Sequence, residues 1–220
     1  MTDRGIVLSL CDRTGVMVDP WVEAGYTAYC VDLQHPKGEN AIHGYDGRLI
    51  FVGADLSTWL PPLVQYAAVF AFPPCTHLAK SGARWFKEKG LAALIEGLTL
   101  VERCRAIAEW SGAPYCIENP SGTLSTYWRK PDHAFDPCDF GGYLDPPADA
   151  YTKLTNLWVG GGFVMPEKRR VEPVEGSKMH RVPPGPERAN IRSVTPEGFA
   201  RAVFQANAPE ARTDLLGVTA

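Results

Sequence analysis

Ala67-Ala68-Val69-Phe70-Ala71-Phe72-Pro73-Pro74-Cys75 is an apolar run stopped by two prolines. A strand with one face in water alternates apolar and polar residues. This one has no polar position between 67 and 72, so it reads as a strand buried on both faces, as in parallel sheets. Proline fixes φ and cannot donate to the ladder, so Cys75 is left on a stiff, exposed loop. The same grammar recurs on either side. Gly5–Leu10 (GIVLSL) ends in the polar turn Cys11–Gly15, Ala28–Val31 (AYCV) in Asp32, Leu49–Val52 (LIFV) in Asp55, and Pro114–Ile117 (PYCI) in Glu118. Between these runs, Val16–Ala24 has helical spacing and stops at Gly25. Leu91–Trp110 predicts a long amphipathic helix, with Leu94, Leu98, Val101, Ile107 and Ala108 at helical spacing. Strands alternating with helices predict an α/β fold, a mostly parallel sheet with helices on both faces. Ligands bind such sheets at the carboxyl ends of the strands, where Cys11, Asp12, Asp32, Asp55, Cys75 and Glu118 all fall.

After residue 120 the pattern changes. Ser121–Asp149 is turn-rich, with Pro131, Pro137, Pro146 and Pro147. Leu154–Val159 (LTNLWV) reads as a further strand, closed by three glycines at 160–162. Residues 163–190 are basic and proline-rich without a period. Thr195–Ala206 predicts a helix, with Thr195 as N-cap and Pro196 at its first position. The 220 residues, 45% hydrophobic, suffice for one substantial core and require no second domain. A net charge of −3 means that a polyanionic partner must meet a local basic face. Candidates are Lys80, Arg84, Lys87 and Lys89; Arg129 and Lys130; and Lys168, Arg169 and Arg170 running on to Arg181, Arg188 and Arg192. Each cluster also reads as solvated surface charge.

Six cysteines, at 11, 30, 75, 104, 116 and 138, include no C-x-x-C pair. Most lie in apolar segments, as buried free thiols do in a reducing cytosol; a disulfide framework or zinc ribbon is not indicated. With no signal-peptide pattern and no apolar run long enough to span a bilayer, a cytoplasmic protein without membrane or metal is expected.

Cysteine is the most nucleophilic side chain near neutral pH, and Lys80 and Arg84 are expected to favour the Cys75 thiolate. A carboxyl directly after a buried strand, as at Glu118, tends to hold its proton and can donate it. Together the two suit one reaction. A thiolate adding at C6 of cytosine makes C5 nucleophilic, while an acid at N3 stabilises the charge placed on the ring. Other cysteine chemistries fit less well. A zinc deaminase needs H-x-E and P-C-x-x-C, which are missing; a Cys–His hydrolase would rest only on His77 or His180.

These residues resemble the DNA cytosine-5 methyltransferase family. Its nucleophile motif is matched by PPCTHLAKSG at 73–82, and its E-N-V motif by ENP at 118–120. Its glycine-rich first motif corresponds to SLCDRTG at 9–15, where Gly15 matches a family glycine, and Glu23-Ala24-Gly25-Tyr26 closes the next helix as in the family. Asp32 stands where the family has an acid on the cofactor ribose, and Asp55-Leu56 matches an acid near the adenine. Tyr151–Gly160 corresponds to the Q-x-R-x-R strand, with Lys153 and Thr155 replacing the two arginines. Arg192–Phe204 resembles the ninth motif, and no tenth follows.

The resemblance implies a Rossmann-like S-adenosylmethionine-dependent methyltransferase fold and a DNA (cytosine-5) methyltransferase, with Cys75, Glu118 and Lys153 catalytic. It implies S-adenosylmethionine held by Leu10, Cys11, Asp12, Thr14, Gly15, Asp32, Leu33, Asp55, Leu56 and Pro73, and the base by Pro74, Ser81, Arg84, Asn119 and Thr155. The partner is DNA, whose cytosine is flipped into the pocket; Lys80, Ser81, Arg84 and Trp85 are candidates to fill the gap. A monomer is expected, with residues 1–160 as catalytic core, 161–190 as a reduced target-recognition segment and 191–220 as a C-terminal helix returning to the core. Such compact versions resemble phage-encoded DNA methylases. Three variants stay open: the same chemistry on a free nucleotide or single-stranded DNA, a modified cofactor, or a decayed homologue that only binds.

Overall fold

The computed structural model describes residues 4–41 and 45–209. Its strands are β1 Ile6–Leu10, β2 Thr27–Ala41, β3 Leu49–Gly53, β4 Tyr66–Ala71, β5 Tyr115–Pro120, β6 His133–Phe135 and β7 Thr155–Gly160. They form one seven-stranded sheet in the order β3-β2-β1-β4-β5-β7-β6. β1 pairs in parallel with β2 and β4, and β4 with β5, while β7 runs antiparallel to both β5 and β6. This is the Rossmann-like, mostly parallel sheet expected from the sequence.

The period of two along each strand sorts the apolar residues onto two faces. Val7, Ala68, Phe70 and Cys116 pack beneath α1 (Asp19–Glu23) and α5 (Glu197–Asn207), around Trp21, whose ring meets those of Tyr26, Phe70 and Phe204. Leu8, Leu10, Val69, Ala71 and Ile117 face the other way, onto Val101, Cys104, Ile107 and Ala108 of α2 (Phe86–Ser111). Burying each large side chain contributes about 1.5–3 kcal/mol, so both helical layers are held mainly by apolar contact. Within α2, Gly90 has φ 72° and breaks the helix, so the regular part begins at Leu91, where the periodicity begins.

The structure departs from the sequence reading in four places. β2 extends to Ala41: beyond Asp32 the register reverses, with Glu39 opposite Val52 and Asn40 opposite Phe51. Gly53 permits this wrap, since a Cβ there would lie 2.1 Å from the Pro36 carbonyl oxygen. β5 runs on through Glu118 and Asn119 to Pro120, because β7 supplies an antiparallel partner for those residues. The short β6 has no sequence signal. Thr195 does not cap α5, which starts at Glu197; the N–H of Gly198 is instead taken by Asp149 Oδ2 at 2.9 Å. The expected closing segment 191–220 is described to residue 209, and 210–220 lie outside the described residues. Among the described residues, no helix is long and apolar enough to cross a membrane.

Candidate active site

Cys75 follows β4 on a loop braced from three sides. Its carbonyl accepts the N–H groups of Leu78 and Ala79, both at 2.9 Å, which closes a turn directly behind the thiol. The turn is fastened to the end of β5 by Lys80 N–H to the Ser121 carbonyl (2.8 Å) and Thr123 N–H to the Leu78 carbonyl (2.9 Å). From below, Asn119 Nδ2 donates to the Pro73 carbonyl at 2.8 Å. Asn119 is fully buried, so it positions the cysteine loop from behind and does not face an open space.

Glu118 lies within β5, opposite Leu157 of β7, and projects away from Asn119 toward the start of α5. With Lys153, Thr155 and Thr195 it lines a small cleft of about 10 Å³, room for roughly one water molecule. Burial pushes its carboxyl pKa up, partly opposed by the Lys153 ammonium. The Cys75 thiol is also raised, first by burial and then by the negative charge of Glu118. Lys153, the Cys75 backbone N–H and Arg192 pull it back. The cations expected to favour the thiolate, Lys80 and Arg84, are therefore not the ones that act on it. The exposed Arg84 instead lies over the Trp85 ring, 5.0 Å from guanidinium carbon to centroid, and Ser81 is exposed on the same loop. Thr155 donates its hydroxyl to the Lys153 carbonyl at 2.8 Å, so it steadies the lysine's backbone. For Arg192, sequence reasoning misses this influence on the thiol; its place at the start of the ninth-motif match is the one signal that could have found it.

The turn after β1 adjoins this loop, because β1 and β4 are neighbours and Phe72 N–H donates to the Leu10 carbonyl at 2.9 Å. Within the turn, Asp12 is buried and fully engaged. It accepts from Ser9 Oγ (2.7 Å), Thr14 N–H (2.9 Å), Thr14 Oγ1 (3.2 Å) and Gly15 N–H (2.8 Å). Asp12 is thus an internal brace with little left for a ligand. Leu10 and Leu56 are core residues facing α2, and Cys11, at φ 54°, turns its thiol onto Cys104. The Cys104 thiol beside it, then burial, push the Cys11 thiol well up. The open groups on this edge are Asp32, Leu33 and Asp55. Asp32 uses Oδ1 for Gln34 N–H and Asp55 uses Oδ1 for Ser57 N–H, both at 2.8 Å, and the Ser57 side chain also bonds to Asp55. Leu33 is 74% exposed beside them. His35, for which the sequence carries no signal, stacks on Phe51 (4.5 Å between centroids) with Nε2 2.9 Å from the Asp12 carbonyl, closing the crevice between β1 and β2.

The basic run at 168–170 is tied down. Lys168 and Arg170 both pair with the buried Asp139, and Arg169 lies 4.2 Å over the Tyr143 ring. These contacts staple the segment to the core, while Lys168 and Arg170 share one carboxylate and stay half exposed.

No protein-family model matches the chain, and no curated protein matches it. Among solved structures it is similar to one described as "DhpI-SAM-HEP complex", with TM-score 0.31 and 16% identity over 80% of this chain and 67% of that one. It is also similar to the glycopeptide N-methyltransferase MtfA, with TM-score 0.31 and 12% identity over 70% of this chain and 64% of that one. The chain thus spans about two thirds of the length of each. Likeness this distant identifies neither substrate nor cofactor.

Proposed function

We propose that this chain transfers a methyl group from S-adenosylmethionine to C5 of cytosine in DNA, through a covalent bond between Cys75 and C6. One feature supports this reading above the rest: burial raises the pKa of the Glu118 carboxyl, and its charge acts on the thiol of Cys75, a nucleophile on a braced loop. The resemblance of PPC and ENP to the family's motifs assigns the same two residues the same roles.

The chain's own groups suit each step. Cys75 Sγ, as thiolate, adds to C6, and the C5=C6 electrons move into the ring as Glu118 gives its proton to N3. Lys153, whose charge acts on both residues, eases formation of the thiolate and can donate to the ring oxygen. C5 is then the reactive carbon. When the C5 proton later leaves to solvent, the double bond re-forms, the Sγ–C6 bond breaks to regenerate Cys75, and N3 returns its proton to Glu118. S-adenosylmethionine supplies an electrophilic methyl group when bound. Asp32 and Asp55, carboxylates at the ends of neighbouring parallel strand pairings, suit its ribose diol and adenine amino group, and exposed Leu33 suits the adenine face.

The space against Glu118 holds only about 10 Å³, so a pyrimidine entering there must displace the Lys153 side chain or the segment Ser193–Pro196. The test is incubation with radiolabelled S-adenosylmethionine and DNA, followed by nucleoside mass spectrometry. The wild type is expected to yield 5-methylcytosine, Cys75→Ser none, and Glu118→Gln at least a hundredfold less. Label reaching DNA through Cys75→Ser would exclude the covalent route.

A further inference from the structure

Lys80, Lys153, His180 and Arg192 converge on one groove of about 410 Å³. They arrive from separate parts of the chain: the turn after Cys75, the approach to β7, the short 3-10 turn Lys178–His180, and α4 (Arg188–Ser193). No carboxylate lines the groove. Among the described residues, none of these four side chains has an ion pair or hydrogen bond of its own. Elsewhere the basic residues are largely spoken for: Lys168 and Arg170 by Asp139, Lys178 by Glu175, Arg129 by Asp132, Arg105 by Glu102 and Glu109, Arg201 by Glu23. Gathering Lys80, Lys153 and Arg192 around a concavity without a carboxylate carries a repulsive cost that a bound anion removes. Leu154, 56% exposed, and Met179 add apolar surface to the same groove, which suits a sugar between phosphate and base. Lys153 lines both this groove and the small space against Glu118, and the Cys75 thiol responds to the charges of Lys153 and Arg192.

We infer that this groove is a phosphate subsite, in which Lys80, His180 and Arg192 hold the phosphate of the nucleotide whose base enters at Cys75, or of its neighbour in a strand. The inference rests on the reading of Cys75 and Glu118 as a pyrimidine site, and it gives that site a specificity for phosphorylated substrates over nucleosides. α4 carries Arg192 to the groove while Glu187, at its N-cap, pairs with Arg13 at 3.7 Å and Asn190 accepts from Gln34 at 3.5 Å, so one short helix bridges the groove and the β1–β2 edge.

The test is fluorescence anisotropy with a labelled single-stranded oligonucleotide containing one cytosine. A second oligonucleotide carries uncharged methylphosphonate links on both sides of that cytosine. Wild-type protein is expected to bind the charged strand at least tenfold more tightly than the neutral-linked one, a comparison that needs no mutant to fold. Lys80→Ala and Arg192→Ala are each expected to weaken the charged strand about tenfold, to lower the slope of log K against log salt by about one, and to leave the neutral-linked strand unchanged. Competition then names the source: displacement by dCMP but not deoxycytidine assigns the nucleotide's own phosphate, and displacement by oligonucleotides alone assigns the neighbour's. Equal binding of charged and neutral-linked strands, or wild-type affinity in both variants, overturns the subsite. If 5-methylcytosine still forms in that case, the chemistry at Cys75 survives without the groove. Binding that depends on the groove, with no methylated product, keeps the subsite and removes the proposed chemistry.

Discussion

The side-chain amide of Asn119 donates to the carbonyl of Pro73 at 2.8 Å, joining the centre of the sheet to the loop that presents Cys75. Glu118 and Asn119 are consecutive on β5 and point to opposite faces, so one strand supplies the acid and, a residue later, the brace for the nucleophile. Asn119 Oδ1 is buried without a partner, so the residue is kept there at some cost. Asn119→Ala should cost about 1–3 kcal/mol by leaving the Pro73 carbonyl unsatisfied. Asn119→Asp should cost more, because it sets a carboxylate against that carbonyl. Urea unfolding of both variants checks the order; a less damaging aspartate would show that the amide N–H is not what holds the loop.

Glu118 carries a pH signature. Its carboxyl pKa in the folded chain lies above the ordinary 4.5, chiefly through burial. The folded form therefore binds the proton more tightly than the unfolded form. That contribution to stability is complete below the ordinary value and is lost as pH rises through the folded one. Glu118→Gln has no such charge to bury. It should unfold at higher urea than wild type at pH 8, with the gap closing below pH 4.5. A gap that is constant with pH would mean that the carboxyl is not desolvated.

The Cys75 thiol should react slowly with iodoacetamide at neutral pH, with a half-maximal rate above the ordinary 9.0, because burial and Glu118 both disfavour the thiolate. Glu118→Gln should move that midpoint down and Lys153→Met should move it up, read at Cys75 by peptide mass mapping. Opposite shifts would mean that these side chains do not face the sulfur.

Gly122 lets the segment after β5 lie against the cysteine turn: a Cβ there would stand 2.1 Å from the Leu78 carbonyl oxygen, which already accepts Thr123 N–H. Gly122→Ala must push the two backbones apart. A loss of about 1–3 kcal/mol in stability is expected, with altered alkylation of Cys75. An unchanged alkylation rate would show that this contact does not set the thiol's position.

Asp12 follows β1, Asp32 closes the first parallel stretch of β2, and the two should behave differently. Asp12→Ala removes the acceptor for Ser9, Thr14 and Gly15 and should lower stability by about 3 kcal/mol or more. Asp32→Ala loses one exposed internal hydrogen bond and should leave the urea midpoint nearly in place, while weakening S-adenosylmethionine binding at least tenfold by calorimetry. The reverse pattern would exchange their roles.

The apolar runs ending in Asp32, Asp55 and Cys75, and the helical period of residues 91–110, are enough to derive a parallel sheet between two helical layers. Burial on both faces leaves an imprint in each strand's own residues, and that imprint is local. Cys75 and Glu118 stand out for the same reason: a double proline and a charge at the end of a buried run are local anomalies. Other features depend on partners far away in the chain. Nothing near Glu118 announces that β7 will pair with it, extend β5 and bring Lys153 alongside. Asp12 and Asp32 look alike in sequence, and only the fold turns one inward to satisfy backbone N–H groups and the other outward. The basic residues of 168–192 are alike in charge, yet Lys168 and Arg170 find Asp139 while Arg192 finds the groove. Which charges are neutralised and which stay free is set by distances across the folded chain, and a linear sequence does not contain those distances.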